Sequence, residues 1–489
     1  MTRESSLSVR DPDVCVVGGG PAGLTIALTL GAAGRRVVLL ESGGFDSSAA
    51  SQELNDGDHN GEAYVGLRRT RHRQIGGTAS IWDVGLHGTT GAKYVPLSAR
   101  DLTDWPISWD ELEPYYVEAH TICGLGPLEY GAAHWSTPER RPFDLDATGL
   151  MSGVYQFGNA SRFTVDLVDD LLGIDSVTVF ASASVVRVAC DQGPDGLSEV
   201  QAVDGNGRTI HVRARAVVLA CGAVENARLL LLSGIGDGRG SEWLGRCFME
   251  HARDFSLVLV PYSRELFAEA AFYDLFTSED GFLIGGRIAL TDDALDSFQL
   301  PNASMTLVPR GRERRGQRFV VLRRALGMTP QGRYGWSRVR SPAKAYESFE
   351  IVLNLEQRPH PVNRIELSAR RDRFGNPLPS LQLQWREEEQ ERLDLLRELL
   401  KDWFRSAKLG LLTTTGGRPD LSAHHHAGTT RMALDRRDGV VDPNGRVFGV
   451  DNLYLAGASV FPSAGFANPT LTIVALARRL GRHLDDLLC

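Results

Sequence analysis

Three consecutive histidines, His424–His426, stand just ahead of Gly428-Thr429-Thr430. Asn468 follows in the run Phe466-Ala467-Asn468-Pro469-Thr470, beyond a glycine turn at Leu455-Ala456-Gly457-Ala458. An imidazole, with an unperturbed pKa near 6.5, exchanges protons near neutral pH. A carboxamide cannot titrate, but it donates a hydrogen bond to an oxygen that is gaining charge. Together they offer a proton acceptor beside a neutral hydrogen-bond donor. Neighbouring histidines do not converge as ligands on one regular element, so no metal is expected from the triplet. At the other end, Gly18-Gly19-Gly20-Pro21-Ala22-Gly23 offers a backbone that can approach a pyrophosphate closely.

These residues need elements to hold them. Val14–Gly18 reads as a buried strand ending in the glycine turn, Leu24–Leu30 as helix, and Arg36–Leu40 as a second strand closing on Glu41. Strand, turn, helix and strand form the context that the dinucleotide fingerprint Gly18, Gly20, Gly23 requires. Glu41 stands where a carboxylate accepts ribose hydroxyls and repels a 2′-phosphate, which disfavours NADP. NAD and FAD remain open at this turn. Further glycine turns at Gly76-Gly77, Cys221-Gly222 and Gly457-Ala458 suit an extended FAD better than one NAD pocket.

Along the chain, Asp101–Gly126 predicts a helix capped near Ser108 or Asp110. Val177–Ala189 and Gly207–Leu219 read as strands of an antiparallel excursion. Glu387–Leu412 is a packing helix, with Leu393, Leu396, Leu399, Leu400 and Trp403 at helical spacing. Asn468 is also placed to cap a helix that starts at Pro469. Phe272, Tyr273 and Phe276 are read either as a lid over the substrate or, as aromatic clusters more often are, as core. Met1–Arg10 is polar and reads as a disordered tail, not a signal peptide.

Composition narrows the class. The chain has 489 residues, a net charge of −8 and 42% apolar residues. That is an ordinary globular balance, and the acidic charge argues against nucleic-acid binding. No apolar run approaches the roughly 20 residues of a membrane helix. Six scattered cysteines without a CxxC pair point to reduced thiols and a cytoplasmic protein. Against the acidic whole, residues 310–344 carry eleven Arg or Lys and the single carboxylate Glu313; this is read as a solvated loop or lid face, or as a docking surface.

The chain resembles the glucose–methanol–choline flavoprotein oxidoreductases. The likeness is carried by the first turn, Gly76-Gly77, Asp104–Tyr116, Val217–Leu231, Leu244–His251, Glu356–Ser368 and the C-terminus. Its Ala467–Thr472 run looks most like the pyranose oxidase and sugar-dehydrogenase branch. The resemblance implies an α/β fold, a Rossmann-like FAD domain interleaved with an α+β substrate domain on an antiparallel sheet. Its expected boundaries are 11–100, 162–253 and 430–489 for FAD binding, 101–161 for a lid or connecting segment, and 254–429 for substrate. It implies His425, three residues before Gly428, and Asn468 as the catalytic pair. It implies FAD contacts at Gly18, Gly20, Pro21, Ala22, Gly23, Glu41, Ser42, Gly76, Gly77, Thr78, Ser80, Val185, Cys221, Gly222, Gly457, Ala458, Asn468, Pro469 and Thr470.

The expected reaction is FAD-dependent oxidation of a CH–OH group on a polyhydroxylated small molecule such as a sugar or glycoside. Oxygen or a quinone-like compound takes the electrons. Alternatives are an alcohol on a secondary metabolite such as an aminoglycoside intermediate, or an FAD-containing lyase of the same fold. Covalent members carry a histidine where this chain has Ile81, so FAD is expected to be held non-covalently; His87 lies beyond the register.

Overall fold

A computed structural model of the protein describes residues 7–82, 90–189, 197–235, 241–311 and 335–489. Most of the basic stretch 310–344, and His87, lie outside them. Four short strands, Val14–Val17, Val37–Leu40, Val177–Phe180 and Ala216–Leu219, join Leu453–Leu455 in a five-stranded sheet with every pairing parallel. Parallel strands are covered on both faces and so read as unbroken apolar runs. Here Val14, Val16, Val37 and Leu39 pack into one core with the helices Pro21–Ala32 and Thr470–Leu487, while Cys15, Val17, Val38 and Leu40 pack into another. The C-terminal helix thus lies beside the first helix, and both ends of the chain build one nucleotide-binding domain.

The first turn shows why glycine is needed. Gly18 adopts φ +106°, and a Cβ there would stand 2.6 Å from the carbonyl oxygen of Ala220; at Gly23 it would stand 1.9 Å from that of Gly18. Gly23 therefore sets helix-to-strand packing and does not border the ligand space.

A second layer is an eight-stranded sheet in which Gly410–Thr414, Ala252–Pro261, Tyr346–Leu355, Ala303–Gly311, Leu283–Leu290, Leu150–Asn159 and Thr90–Tyr94 follow one another, with Leu275–Thr277 attached to Leu283–Leu290. All its pairings are antiparallel. Strands from positions 90–94 and 150–159 belong to this sheet, so it draws on the chain from well before residue 254. The fold is α/β, with the parallel domain and the antiparallel one interleaved.

Several local expectations change. Residues 7–10 are not a free tail: Leu7–Arg10 is a strand paired in parallel with Thr209–Ala214. Val177–Phe180 leaves the antiparallel excursion and pairs with Val37–Leu40 at the edge of the parallel sheet. The helix Glu387–Ser406 stops short of Leu412. Lys408 adopts φ +59°, and Gly410 runs so close to the neighbouring strand that a Cβ would stand 2.3 Å from the carbonyl oxygen of Val260. Ser108 does cap Trp109–Cys123, accepting from the backbone N–H of Glu111. The aromatic lid is overturned: Phe267, Phe272, Tyr273 and Phe276 are 0–3% exposed and form the core behind the large sheet. Apolar aromatic area gains more from such burial than from a wet lid.

Candidate active site

A cavity of about 390 Å³ runs between the two domains, and most of the sequence-expected residues border it. They are Gly18, Gly20, Pro21, Ala22, Glu41, Ser42, Gly77, Thr78, Val185, Cys221, Gly222, His425, Gly457, Ala458, Asn468, Pro469 and Thr470. Gly23, Gly76 and Ser80 stand behind it. Gly76 holds the turn by donating its N–H to Gly19, and the Ser80 hydroxyl meets the His72 ring.

Glu41 does more than face a ribose. Its Oε2 accepts the N–H of Gly19 and its Oε1 that of Gly43, both at 2.7 Å, so the carboxylate shapes the glycine turn itself. Burial raises its pKa against the pull of those N–H groups. The third and fourth glycine turns are tied together by Asn226, which the sequence reading passed over. Its Oδ1 accepts from Cys221 N at 2.9 Å; its Nδ2 donates to Ala456 O at 3.0 Å and Ser459 Oγ at 2.9 Å.

The loop carrying the histidines is strapped from three sides. Met249 and Ala427 exchange backbone hydrogen bonds at 3.0 Å, Gly428 N donates to Ala458 O at 3.0 Å, and Thr429 Oγ1 donates to Ala223 O at 2.6 Å. Glu250 completes the hold from beneath. Its fully buried carboxylate accepts the N–H of His425 at 2.5 Å and of His424 at 3.0 Å, and His424 itself sits at φ +68°. Burial pushes the Glu250 carboxyl up to about 8, although the N–H groups of His425, His251 and His424 pull it down.

His425 and Asn468 are brought together: Asn468 Nδ2 lies 3.1 Å from His425 Nε2. Asn468 does not cap the last helix, which starts at Thr470 without a side-chain cap, because its amide is turned to the imidazole. The other nitrogen of His425, Nδ1, lies 2.7 Å from Nδ1 of His251. His426 diverges to the Tyr64 hydroxyl at 2.5 Å, and His424 is exposed. The triplet therefore splits three ways.

Burial holds His425 well below 6.5, reinforced by His251, Lys93, Arg253 and His424; burial likewise drops His251 to about 4. A neutral imidazole between cations is a ready proton acceptor near pH 7. Sequence reading missed His251, Glu250, Lys93 and Arg253. The adjacent Glu250-His251 inside an otherwise apolar strand approach was the available signal; nothing in sequence tied Lys93 to the site.

A model described as GMC oxidoreductase matches residues 359–477, and one described as pyridine nucleotide-disulphide oxidoreductase matches 12–263. The second match spans the nucleotide-binding half, and the chain has no CxxC pair for disulfide chemistry. The chain is 26% identical to 6'''-hydroxyparomomycin C oxidase of Streptomyces lividus, over 96% of this chain and 91% of that protein. It is 23% identical to the fructose dehydrogenase large subunit of Gluconobacter japonicus, over 86% and 83%. Among solved structures, pyridoxine 4-oxidase from Mesorbium loti aligns over 96% of this chain and 99% of that one, with TM-score 0.56 and 18% identity, a likeness of fold.

The matched models and relatives define the class as a flavin-dependent oxidoreductase acting on CH–OH groups. The chain belongs to the GMC oxidoreductase family, enzymes that use FAD to oxidise CH–OH groups.

Proposed function

We propose that the protein oxidises a hydroxyl of a neutral polyhydroxylated molecule, a sugar or glycoside, with His425 as base and Asn468 as hydrogen-bond donor. The observation that carries this is the 3.1 Å contact between His425 Nε2 and Asn468 Nδ2, both bordering one cavity with the glycine turns. The residues fit FAD. At Gly222 and Gly457, φ is +79° and +94° and a Cβ would meet no protein atom within 4 Å, so both leave room on the cavity side. No side chain caps the helix Pro21–Ala32, leaving its start for the pyrophosphate. Glu41 and Ser42 would meet the adenosine ribose; Arg71 and Arg73, which border the cavity, bring positive charge partly balanced by Glu225.

FAD, when bound, supplies the acceptor for hydride. His425 Nδ1 is engaged by His251, so Nε2 is the nitrogen left for the substrate, and it takes the O–H proton. The Asn468 amide then donates to the oxygen on which charge is growing. Molecular oxygen or a quinone-like compound is the terminal acceptor, and the free thiols of Cys15, Cys123, Cys221, Cys247 and Cys489 suit a cytoplasmic setting. No helix of the described residues is long and apolar enough to cross a membrane.

The cavity favours a neutral substrate. Lys93 and Arg253, the latter paired with Asp420, border it beside His425, while each lining carboxylate among the described residues is engaged: Glu41 by backbone N–H groups, Glu225 by Arg71 and Arg228, Asp372 by Arg228. None is left for an ammonium group. The similarity to 6'''-hydroxyparomomycin C oxidase supports a second reading, an aminoglycoside alcohol. Anaerobic bleaching of the bound flavin by monosaccharides, glycosides and aminoglycosides, repeated with oxygen and with a quinone, separates them. Bleaching by none of these, with turnover of a cyanohydrin, would favour a lyase.

A further inference from the structure

Between His251 and Asn468 the protons have only two consistent arrangements. The two Nδ1 atoms of His251 and His425, 2.7 Å apart, share one proton. In the first arrangement the Asn468 amide donates to a bare Nε2 of His425, His425 Nδ1–H donates to His251, and His251 keeps its own proton on Nε2. In the second every proton moves one place: His251 donates, His425 is protonated on Nε2, and the amide oxygen accepts. Only the first leaves His425 able to take a proton.

The far end of the chain of bonds selects the first. His251 Nε2 is buried without a hydrogen-bond partner, and the backbone of Ala464 and Gly465 acts on the ring to favour an N–H over a bare lone pair. His251 is 1% exposed, and its backbone N–H rests on Glu250 Oε1 at 3.1 Å, the same oxygen that accepts from His425 N. One carboxylate therefore fixes the spacing of the two imidazoles.

We propose that His251 is a positioning residue that sets the tautomer of His425, accepting its Nδ1–H so that Nε2 stays bare toward the substrate. When the alcohol proton arrives at Nε2, the bond to His251 steadies the new charge. His251 does not border the cavity and acts only through His425. The inference rests on His425 being the base. The other charged or titratable groups around the pair are Lys93 from strand Thr90–Tyr94, Arg253 from Ala252–Pro261, His424 in the same loop and Glu250 beneath; all are unchanged in the test.

The test uses holoenzyme carrying His251→Leu, His251→Asn or His251→Asp. Single-turnover flavin bleaching is followed across pH and substrate concentration, and imidazole shifts are read in 15N-histidine-labelled protein without substrate. His251→Leu should lower the limiting rate at least about 10-fold, with substrate affinity changed less than about 3-fold. His251→Asn places an amide oxygen near the lost Nδ1 and should return the rate to within about 5-fold of the parent. His251→Asp accepts the same N–H with a full charge and should move the acid limb up by about one pH unit or more. The nitrogen shifts should show His425 held as Nδ1–H in the parent, Asn and Asp variants, most strongly in Asp, and not in Leu. Equal rates in Leu and Asn, or an Asp variant with an unmoved acid limb, would overturn the proposal. If the Leu variant loses flavin, the Asn and Asp pair decides by the limb shift. Normal turnover by His425→Ala would instead sink the base assignment itself.

Discussion

Replacing Asn468 by alanine separates its two roles. In the neutral site its Nδ2–H points at His425 Nε2 from 3.1 Å, a bond that exists only while Nε2 is unprotonated. Protonation at Nε2 sets two donors face to face, so the amide helps burial hold the His425 pKa below 6.5. Removing it should raise that pKa. A neutral hydrogen bond is worth about 0.5–1.5 kcal/mol, which converts to an upward shift of about 0.4–1.1 pH units in the acid limb of the flavin-reduction profile. On the alkaline plateau the variant loses a donor to a charged oxygen, about 1.5–3 kcal/mol, or about 10- to 150-fold in rate. The assay is stopped-flow bleaching of bound flavin under anaerobic conditions from pH 5 to pH 9, with flavin content checked for each preparation. An acid limb that moves down would refute the reasoning. It would mean that the amide oxygen faces a protonated Nε2, the opposite assignment of an atom pair that geometry alone leaves to the hydrogen-bond network.

Four other outcomes follow from the same site. His425→Ala should keep FAD yet slow its reduction about 100-fold or more, whereas His426→Ala, which loses a partner of Tyr64, should keep most of the rate. Because the folded pKa of His425 lies below 6.5, parent rates should already be on their plateau at neutral pH and fall only on the acid side. Glu41→Ala breaks two backbone bonds of about 1.5–3 kcal/mol each, so both thermal stability and FAD retention should drop; loss of FAD alone, with an unchanged melting temperature, would contradict its role in shaping the turn. Acid precipitation should leave all yellow colour in the supernatant, since Ile81 borders the cavity with no nucleophile; colour in the pellet would direct attention to His87.

What could be read from the sequence was whatever is encoded locally. Val14–Val17 with Gly18 and Gly23 announces a parallel strand and a tight turn, because sterics at those positions admit little else. The histidine–amide pair was legible because its residue types are rare in such surroundings and its spacing matches a family. The failures share one cause, information held by distant partners. Leu7–Arg10 becomes a strand only because Thr209–Ala214 offers an edge, and Phe272 and Tyr273 look like lid or core until the sheet that buries them is known. Amphipathic spacing continued past Ser406, yet Lys408 and the close pass of Gly410 beside Val260 ended the helix.

The least legible part of the site is also what the proposed chemistry depends on. A histidine is a base near neutral pH only if something keeps the right nitrogen bare and the ring uncharged. Here burial and the positive charges of Lys93 and Arg253 keep it uncharged, while partners on both sides of the ring decide the nitrogen. Lys93 comes from one edge of the large sheet, Arg253 from the start of another strand and His251 from the residue before it, and Asn468 from the approach to the last helix. Cations beside the base also disfavour a cationic substrate, so the groups that tune the proton transfer restrict what can enter. On the proposed reading, base strength and substrate charge are therefore coupled through Lys93. Neutralising it should raise the His425 pKa and ease entry of an ammonium-bearing alcohol together, and a change in one without the other would break that link.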